Sequence, residues 1–383
     1  MQNPTTYDPD ILPQGVRSRI LSDINGLDMH VLEAGFEGQN KPCLILLHGF
    51  PELAYSWRKI MGPLADAGYH VVAPDQRGYG RTVFTDGGWD GDYDGDLGSF
   101  RFLNLVRDVL GLVEALGLKS VAGVIGHDFG SPVAAYCALI RGDVFRSVAL
   151  MSGPFAGPPA ISDRAPTPDS DIHADLAALA RPRKHYQWYY STREANDDMV
   201  NCPQGVHDFL RAYYHHKSAD WAGNQPTSLA SWTAPELAKM PTYYIMELDQ
   251  TMPETVAAEM PDAAEIAACT WLTDDELAVY AGEFSRSGVQ GGFQGGLQWY
   301  RCRTQGPYEG QLQIFSGRTI DVPACFIGGG SDWGIRQVPG ALEKMQAEAC
   351  SNMAAVHIVP GAGHWVQQEQ PEAVSAILLD FLA

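Results

Sequence analysis

Short apolar runs alternate with helix patterns near both ends of the chain, and this alternation stops in the middle. Apolar runs of four to eight residues that break at glycine or aspartate are typical of strands buried on both faces of a sheet. Because parallel strands need crossover connections, usually helices, the pattern predicts a doubly wound, mainly parallel α/β sheet. The runs are CLILLHGF (43–50), HVVAPD (70–75), SVAGVIGHD (120–128), FRSVALMSG (145–153), VPACFIGGGSD (322–332) and AAVHIVPG (354–361).

The middle of the chain has a different texture, which predicts an insertion. It is rich in proline turns, Tyr and Trp, with helix patterns at 207–216 and 274–285. We therefore predict that residues 1–155 and 321–383 form one α/β core, and that residues 156–320 form a helical cap. With 383 residues, the chain is long enough for a large core that carries such an insertion.

A hairpin is predicted before the first buried run. Residues 18–35 alternate apolar and polar side chains around Asn25-Gly26, a dipeptide that favours a tight turn between two antiparallel strands. The sheet is therefore expected to begin with an antiparallel pair.

Charge and composition exclude several classes of partner. The formal net charge is −20, whereas nucleic acids and anionic membrane surfaces bind clustered Lys and Arg, so neither partner is expected. An alternating Asp/Gly run at 86–96 lacks the Glu that closes an EF-hand loop, and we predict a solvated loop there. The seven cysteines stand singly, which is typical of reduced thiols in a cytoplasm, and predict no metal site.

No sorting or membrane segment is predicted. The first twenty residues lack a basic stretch followed by an apolar one, and no run reaches the length of a membrane span. We expect a cytoplasmic monomer or homodimer that needs no cofactor.

The pentapeptide Gly126-His127-Asp128-Phe129-Gly130 lies between a buried strand and a helix. This is the layout of a nucleophile elbow, in which small residues permit a tight turn, but Asp128 stands where serine is usual. The helix that follows favours a negative charge at this point. Asp is also a common helix N-cap, so the pentapeptide alone leaves a purely structural role open.

Two later residues complete a catalytic order. Asp332 ends one apolar run, and His364 follows the last one. Nucleophile, acid and histidine, in that chain order and all after strands, are what this kind of fold uses for hydrolysis. Asp128, Asp332 and His364 are therefore predicted to act together.

The loop after CLILL predicts an oxyanion site. His48-Gly49-Phe50-Pro51 is placed to donate a backbone N–H from Phe50, and the residue after the nucleophile, Phe129, is expected to donate the second. A simple Gly-Pro turn is the alternative interpretation of this loop.

Five motifs together resemble the epoxide hydrolase branch of the α/β-hydrolases and span nearly the whole predicted core. They are HGFPE (48–52), DQRGYGRT (75–82), GHDFG (126–130), GGGSDW (328–333) and GAGHW (361–365). The resemblance implies the α/β-hydrolase fold with a cap. It also implies hydrolysis of an epoxide to a diol through an ester on Asp128.

The cap carries two further similarities. GGLQWYR (295–301) resembles the segment that holds one epoxide-binding tyrosine in that family, which implies Tyr300. KHYQWYY (184–190) resembles the segment that holds the other; Tyr186 is the best match, with Tyr189 and Tyr190 left open.

Residues beside these catalytic groups are predicted to contact the substrate. Within the same motifs they are His48, Pro51, Trp188 and Trp333. The aromatic content of the cap favours a small apolar or aryl epoxide. The cap is longer than expected for the family across 217–270, so the resemblance does not extend to the shape of the substrate.

The chemistry of a carboxylate nucleophile agrees with this assignment. A carboxylate can attack a saturated carbon without losing a proton, and the resulting ester is hydrolysed by water that His364 activates while Asp332 orients the imidazole. Attack on an ordinary ester would instead give an anhydride that reverts. Two phenols suit the poor alkoxide leaving group of an epoxide.

Three alternatives share parts of this constellation. Haloalkane dehalogenases commonly have Trp after the nucleophile, where this chain has Phe129. A fluoroacetate-type dehalogenase needs arginines that 129–135 lacks. A binding protein that has lost catalysis would hold its ligand without alkylating Asp128.

Overall fold

The structure, a computed structural model, describes residues 5–38, 40–85, 89–161, 171–286, 292–305 and 308–383. The strands are β1 (Val16–Leu21), β2 (Leu27–Ala34), β3 (Cys43–Leu47), β4 (His70–Pro74), β5 (Val83–Phe84), β6 (Gly123–His127), β7 (Val148–Met151), β8 (Arg183–His185), β9 (Ile245–Glu247), β10 (Ala324–Gly329) and β11 (Met353–Val359).

Helices occupy most of the remaining chain. The α-helices are α1 (Arg58–Asp66), α2 (Phe102–Ala115), α3 (Gly130–Ile140), α4 (Ile172–Ala177), α5 (Tyr186–Tyr189), α6 (Ala195–Val200), α7 (Gly205–Lys217), α8 (Ala234–Leu237), α9 (Met252–Ala257), α10 (Ala263–Ala268), α11 (Asp274–Phe284), α12 (Gln294–Thr304), α13 (Glu309–Leu312), α14 (Ala341–Lys344), α15 (Val366–Glu369) and α16 (Pro371–Leu382). Short 3₁₀ segments lie at Pro9–Ile11, Ala54–Trp57, Leu97–Phe100, Gln313–Phe315 and Trp333–Arg336, and a π-helical turn at Met345–Ala349.

Within the described residues, the main sheet has nine strands and is mainly parallel, as predicted. Its order is β1-β2-β4-β3-β6-β7-β10-β11, with β5 paired to β2. Strands β3, β4, β6, β7, β10 and β11 pair in parallel, whereas β2 pairs antiparallel with β1, β4 and β5. Every residue of β3, β6, β7 and β10 is buried, which explains why these strands are continuous apolar runs.

The predicted hairpin is also confirmed. Strands β1 and β2 pair from Val16 with Ala34 to Leu21 with Met29. Ile24 and Leu27 exchange two backbone hydrogen bonds across the turn, and Asn25 and Gly26 have φ of 51° and 79°. Positive φ at both central residues is what an Asn-Gly turn supplies.

The strand order sets the position of the site. Strand β4 lies on one side of β3 and β6 on the other, so the chain reverses direction across the sheet at β3. Ligands of doubly wound sheets bind beyond the carboxyl ends of the strands at such a point. The loop with Phe50 follows β3, and Asp128 follows β6.

The described residues between β7 and β10, called the inserted segment below, are mainly helical. The helices predicted at 207–216 and 274–285 are α7 and α11, which pack against each other. The inserted segment meets the core through Arg58, whose guanidinium donates to Glu276 at 2.8 Å. The exact division of the chain at 155/156 and 320/321 stays a prediction.

Three composition-based expectations can be compared with the structure. Residues 86–88 of the Asp/Gly run lie outside the described residues, and the later aspartates of the run, from Asp90 to Asp96, are exposed as predicted. All seven cysteines are free. Among the described helices, none is long and apolar enough to cross a membrane.

Candidate active site

Asp128 occupies the apex of a tight turn between β6 and α3. Its φ is +51°, which is unusual for a residue other than glycine. The two glycines of the motif are required by close packing, because a Cβ on Gly126 would lie 2.1 Å from the Gly130 carbonyl oxygen, and one on Gly130 would lie 2.2 Å from that of Leu47. The pentapeptide therefore forms the elbow that its small residues predict.

One oxygen of the Asp128 carboxylate is held by the loop after β3. The Phe50 amide donates to Oδ1 at 3.0 Å. Gly49 allows this approach, since a Cβ there would lie 2.4 Å from the Asp128 side chain. Among the described residues, Phe50 is the only one whose backbone N–H donates to this carboxylate. The donor role predicted for the Phe129 amide stays a prediction.

The other oxygen faces the imidazole of His364. Nε2 of His364 lies 3.2 Å from Oδ2, although the two are not aligned for a hydrogen bond. On the opposite edge of the ring, Nδ1 lies 3.1 Å from Oδ1 of Asp332. The Gly334 amide donates to the same Asp332 oxygen at 2.6 Å. The three residues predicted from their chain order therefore meet in one buried cluster.

The charges of this cluster keep both carboxylates ionised. Burial alone raises the pKa of Asp128, but the His364 imidazole and the Lys217 ammonium outweigh it and hold the pKa well below its usual value. Burial and His364 oppose each other in the same way at Asp332, whose pKa is lowered. Asp128 is therefore a charged carboxylate at neutral pH.

A cavity of about 320 Å³ opens beside Asp128. Its walls are largely aromatic and apolar, with a few polar groups. The lining includes Phe102, Phe129, Tyr136, Phe155, Tyr186, Tyr300 and Leu312, together with Gln187, Arg303 and Gln337. Such a volume and lining suit a small apolar ligand with a reactive polar centre.

The cavity distinguishes between the three candidate tyrosines of the first cap segment. Tyr186 lines the cavity, where its hydroxyl donates to Gln337 Oε1 and accepts from Gln187 Nε2, both at 3.2 Å. The Tyr189 hydroxyl instead donates to Asp198 at 2.8 Å, and the Tyr190 hydroxyl donates to Tyr213 at 3.2 Å. The geometry thus favours Tyr186.

Tyr300 shares the cavity with Tyr186. The two ring centroids are 5.9 Å apart, and the Tyr300 ring meets the Phe129 ring edge-on at 4.9 Å. Burial raises the pKa of both phenols, and the Asp128 carboxylate raises them further. Both hydroxyls therefore stay protonated and can donate hydrogen bonds.

The four residues predicted to bind substrate are not among those that form the described lining of the cavity. His48 is buried, with its Nε2 accepting from the Gln76 amide at 3.1 Å. The Pro51 carbonyl accepts from Tyr214 at 3.0 Å. Trp188 packs edge-on against His185, and Trp333 is buried beside Asp332. Direct contact of these residues with a substrate stays a prediction.

A buried ion pair next to Asp128 was missed by the sequence reasoning. Nδ1 of His127 lies 2.6 Å from Glu52, and Nε2 contacts the His364 carbonyl at 2.7 Å. Burial lowers the pKa of His127, but Glu52 outweighs this and leaves the pKa raised. Glu52 lies in the motif HGFPE and His127 in GHDFG, so the motifs could have indicated that both residues lie near the site.

Lys217 was also missed, and no local pattern marks it. The side chain is 2% exposed, and its Nζ lies 4.9 Å from the Tyr244 ring centroid and 5.3 Å from that of Trp365. Burial lowers the pKa of Lys217 to about 8, although Asp128 and other carboxylates oppose this. Only the tertiary structure brings this cation near Asp128, Asp332 and His364, called the triad below.

Comparison with protein families agrees with the geometry. A family model described as alpha/beta hydrolase fold matches residues 42–371. Epoxide hydrolase A from Mycobacterium tuberculosis is 33% identical over 377 residues, which cover 96% of this chain and 98% of the relative. An epoxide hydrolase from Caballeronia sordidicola is 30% identical over 359 residues, or 94% and 91% of the two chains.

Solved structures give the same result. An epoxide hydrolase from an endophytic Streptomyces superposes with a TM-score of 0.72 at 30% identity, covering 97% of this chain and 96% of the other. Potato epoxide hydrolase I superposes with a TM-score of 0.69 at 28% identity, covering 96% and 99%. The elbow at Asp128, followed in the chain by Asp332 and His364, agrees with these near full-length similarities. The chain therefore belongs to the epoxide hydrolases of the α/β-hydrolase fold.

Proposed function

We propose that this chain hydrolyses an epoxide to a vicinal diol through a covalent ester on Asp128. The observation that carries the proposal is that the two oxygens of the Asp128 carboxylate have different contacts. Oδ1 accepts from the Phe50 amide, Oδ2 lies 3.2 Å from Nε2 of His364, and Asp128 lines the cavity. One oxygen is thus fixed by a donor while the other is available for attack.

In the first step, Oδ2 attacks a ring carbon of the epoxide. An O–C bond forms to Asp128 while the C–O bond of the ring breaks, and the released oxygen is hydrogen-bonded or protonated by a phenol. Tyr186 and Tyr300 line the same cavity as the nucleophile, which supports this role. Both belong to the proposed cap, residues 156–320, whose function would then be to close the site and activate the epoxide oxygen.

In the second step, water hydrolyses the ester. His364 Nε2 removes a proton from the water, which attacks the Asp128 carbonyl carbon, and an oxyanion forms on Oδ1. The Phe50 N–H already contacts that atom and would stabilise the oxyanion, a contribution of roughly 3–4 kcal/mol for one well-placed donor in related acyl chemistry. Collapse breaks the Cγ–Oδ2 bond and the departing alkoxide takes the proton from His364, which releases the diol; the new carboxyl group loses its proton to solvent and Asp128 is restored. Asp332 holds the imidazole in the tautomer that the step requires.

The substrate class follows from the walls of the cavity. Phe102, Phe129, Tyr136 and Phe155 surround the space beside the nucleophile, and a volume of about 320 Å³ accommodates a small molecule. We propose a small apolar or aryl epoxide. Faster turnover of a small hydrophilic epoxide than of styrene-type oxides would contradict this part of the proposal.

The reaction class is tested by trapping the ester in the His364→Gln variant. We expect alkylation to proceed and hydrolysis to stop, so that the protein gains the whole mass of the epoxide. Intact-mass spectrometry after incubation with a panel of epoxides and, separately, haloalkanes measures the adduct, and peptide mapping locates it on Asp128.

The matched control is the double variant that also carries Asp128→Asn. Asparagine tolerates the positive φ of this position and keeps the shape of the side chain, but it removes the nucleophile. Adducts from haloalkanes alone would assign the chain to dehalogenation instead. Adducts that persist in the double variant, or normal turnover by His364→Gln, would contradict the proposed roles.

A further inference from the structure

Glu369 contacts the backbone on both sides of the proposed base. It is the last residue of α15, and its side chain is buried. Its Oε2 accepts from the Gly363 amide at 2.8 Å, and its Oε1 accepts from the Trp365 amide at 2.9 Å. One carboxylate therefore fixes the residues immediately before and after His364.

The same carboxylate reaches the inserted segment. Its Oε2 also accepts from the Ala219 amide at 2.8 Å, two residues beyond the end of α7. Nearby, the His364 amide donates to the Lys217 carbonyl at 2.9 Å. Gly363 permits this contact, because a Cβ there would lie 2.6 Å from the Lys217 carbonyl oxygen. The loop that carries the base is thus bound to the inserted segment as well as to the core.

These contacts need a side chain whose two oxygens accept three hydrogen bonds. Burial raises the pKa of Glu369 to about 8, although the three amide donors oppose this because they favour the charged form. A neutral amide at this position has one accepting oxygen, and its NH₂ group would face an N–H donor. At least one buried backbone N–H would then lose its partner.

We propose that Glu369 is a positioning residue for the hydrolytic step, holding His364 in place and tying its loop to the inserted segment. This inference rests on the proposed function, in which His364 acts in the second step and not in the first. Displacing the imidazole should therefore slow ester hydrolysis and leave ester formation unchanged. A displacement of about 1 Å can cost roughly 10²-fold in rate.

The test compares Glu369→Gln with Glu276→Gln. Glu276 also bridges the inserted segment and the core, through Arg58, and accepts from the Thr273 amide, but its described hydrogen bonds do not involve the loop of His364. Rapid-quench single turnovers with styrene oxide give separate rate constants for alkylation and hydrolysis. In Glu369→Gln we expect hydrolysis to fall about 10-fold to 100-fold, with alkylation changed less than about twofold. In Glu276→Gln both steps should stay within about twofold.

Two additional measurements keep the test decisive. Glu369→Asp retains the carboxyl group but is shorter, so it should show the same step-specific loss to a smaller degree. It also replaces Glu369→Gln if that variant does not fold. Amide hydrogen exchange of residues 363–365 should become faster in the Glu369 variants and not in Glu276→Gln. Equal slowing of both steps, or no slowing and unchanged exchange, would overturn the proposal. Absence of turnover with every epoxide would instead refute the proposed function, and the exchange measurement would still decide whether Glu369 holds the loop.

Discussion

Replacing the two cavity tyrosines by phenylalanine should slow formation of the ester and not its hydrolysis. Phenylalanine keeps the ring packing and removes the donor to the epoxide oxygen. Among the described residues, the Tyr300 hydroxyl has no hydrogen-bond partner, whereas the Tyr186 hydroxyl already donates to Gln337 at 3.2 Å. Because Tyr186 must give up a bond to serve the substrate, Tyr300 should contribute more.

The magnitude follows from general acid catalysis, which typically contributes 10²–10⁴-fold in total. With one phenol left in place, we expect roughly a 100-fold slower alkylation for Tyr300→Phe and roughly 10-fold for Tyr186→Phe. These correspond to about 2.7 and 1.4 kcal/mol of barrier height. The double variant should lose at least their product.

The assay is single-turnover kinetics with enzyme in excess, followed by acid quench and quantification of ester and diol. Tyr189→Phe and Tyr190→Phe are matched controls, since their hydroxyls bind Asp198 and Tyr213. Both controls should alkylate at the rate of the unmodified protein. A larger loss in either control than in Tyr186→Phe, or a loss confined to hydrolysis, would refute the reasoning.

Two further predictions concern the acid of the triad and the stability of the core. Asp332→Asn should allow alkylation but slow hydrolysis by about 10³–10⁴-fold, because the imidazole loses the partner that selects its tautomer; a burst of ester before slow diol release checks this. Asp75 contacts His30 at 2.7 Å, and although burial raises its pKa, His30 outweighs this and lowers it to about 2. A depressed carboxylate pKa stabilises the fold above the unfolded pKa, so about 2 kcal/mol should be lost as the pH falls from about 4 to 2. Urea unfolding across this range should show that slope in the unmodified protein and a smaller one in Asp75→Asn.

Short sequence patterns were sufficient to predict turns and helices that depend on neighbouring residues. The Asn25-Gly26 turn formed as predicted because few other dipeptides adopt two consecutive positive φ angles. The helical crossover expected between β10 and β11 is a short α-helix, Ala341–Lys344, that continues as a π-helical turn to Ala349. The hydrophobic pattern gives the existence of a helix but not its hydrogen-bonding register.

The order and setting of Asp128, Asp332 and His364 could be predicted because each follows a strand of the main sheet. Parallel strands bring their carboxyl ends to one edge of the sheet, so side chains that follow the strands lie close together there. The sequence could not show which of Tyr186, Tyr189 and Tyr190 lines the cavity. All three lie within five residues of one another, and each is buried. What distinguishes them is which hydroxyl faces the cavity, and that depends on how the inserted helices pack.

The sequence by itself determined the mainly parallel sheet, the elbow at Asp128 and the positions of Asp128, Asp332 and His364 after strands, because apolar periodicity, glycine spacing and chain order can be read without tertiary contacts. Only the tertiary structure decided that Tyr186 lines the cavity beside Asp128, that Lys217 places its charge near these residues, and that Glu369 binds the loop of His364. These contacts join residues from distant parts of the chain, and their energies depend on distances and burial that no single stretch of sequence contains.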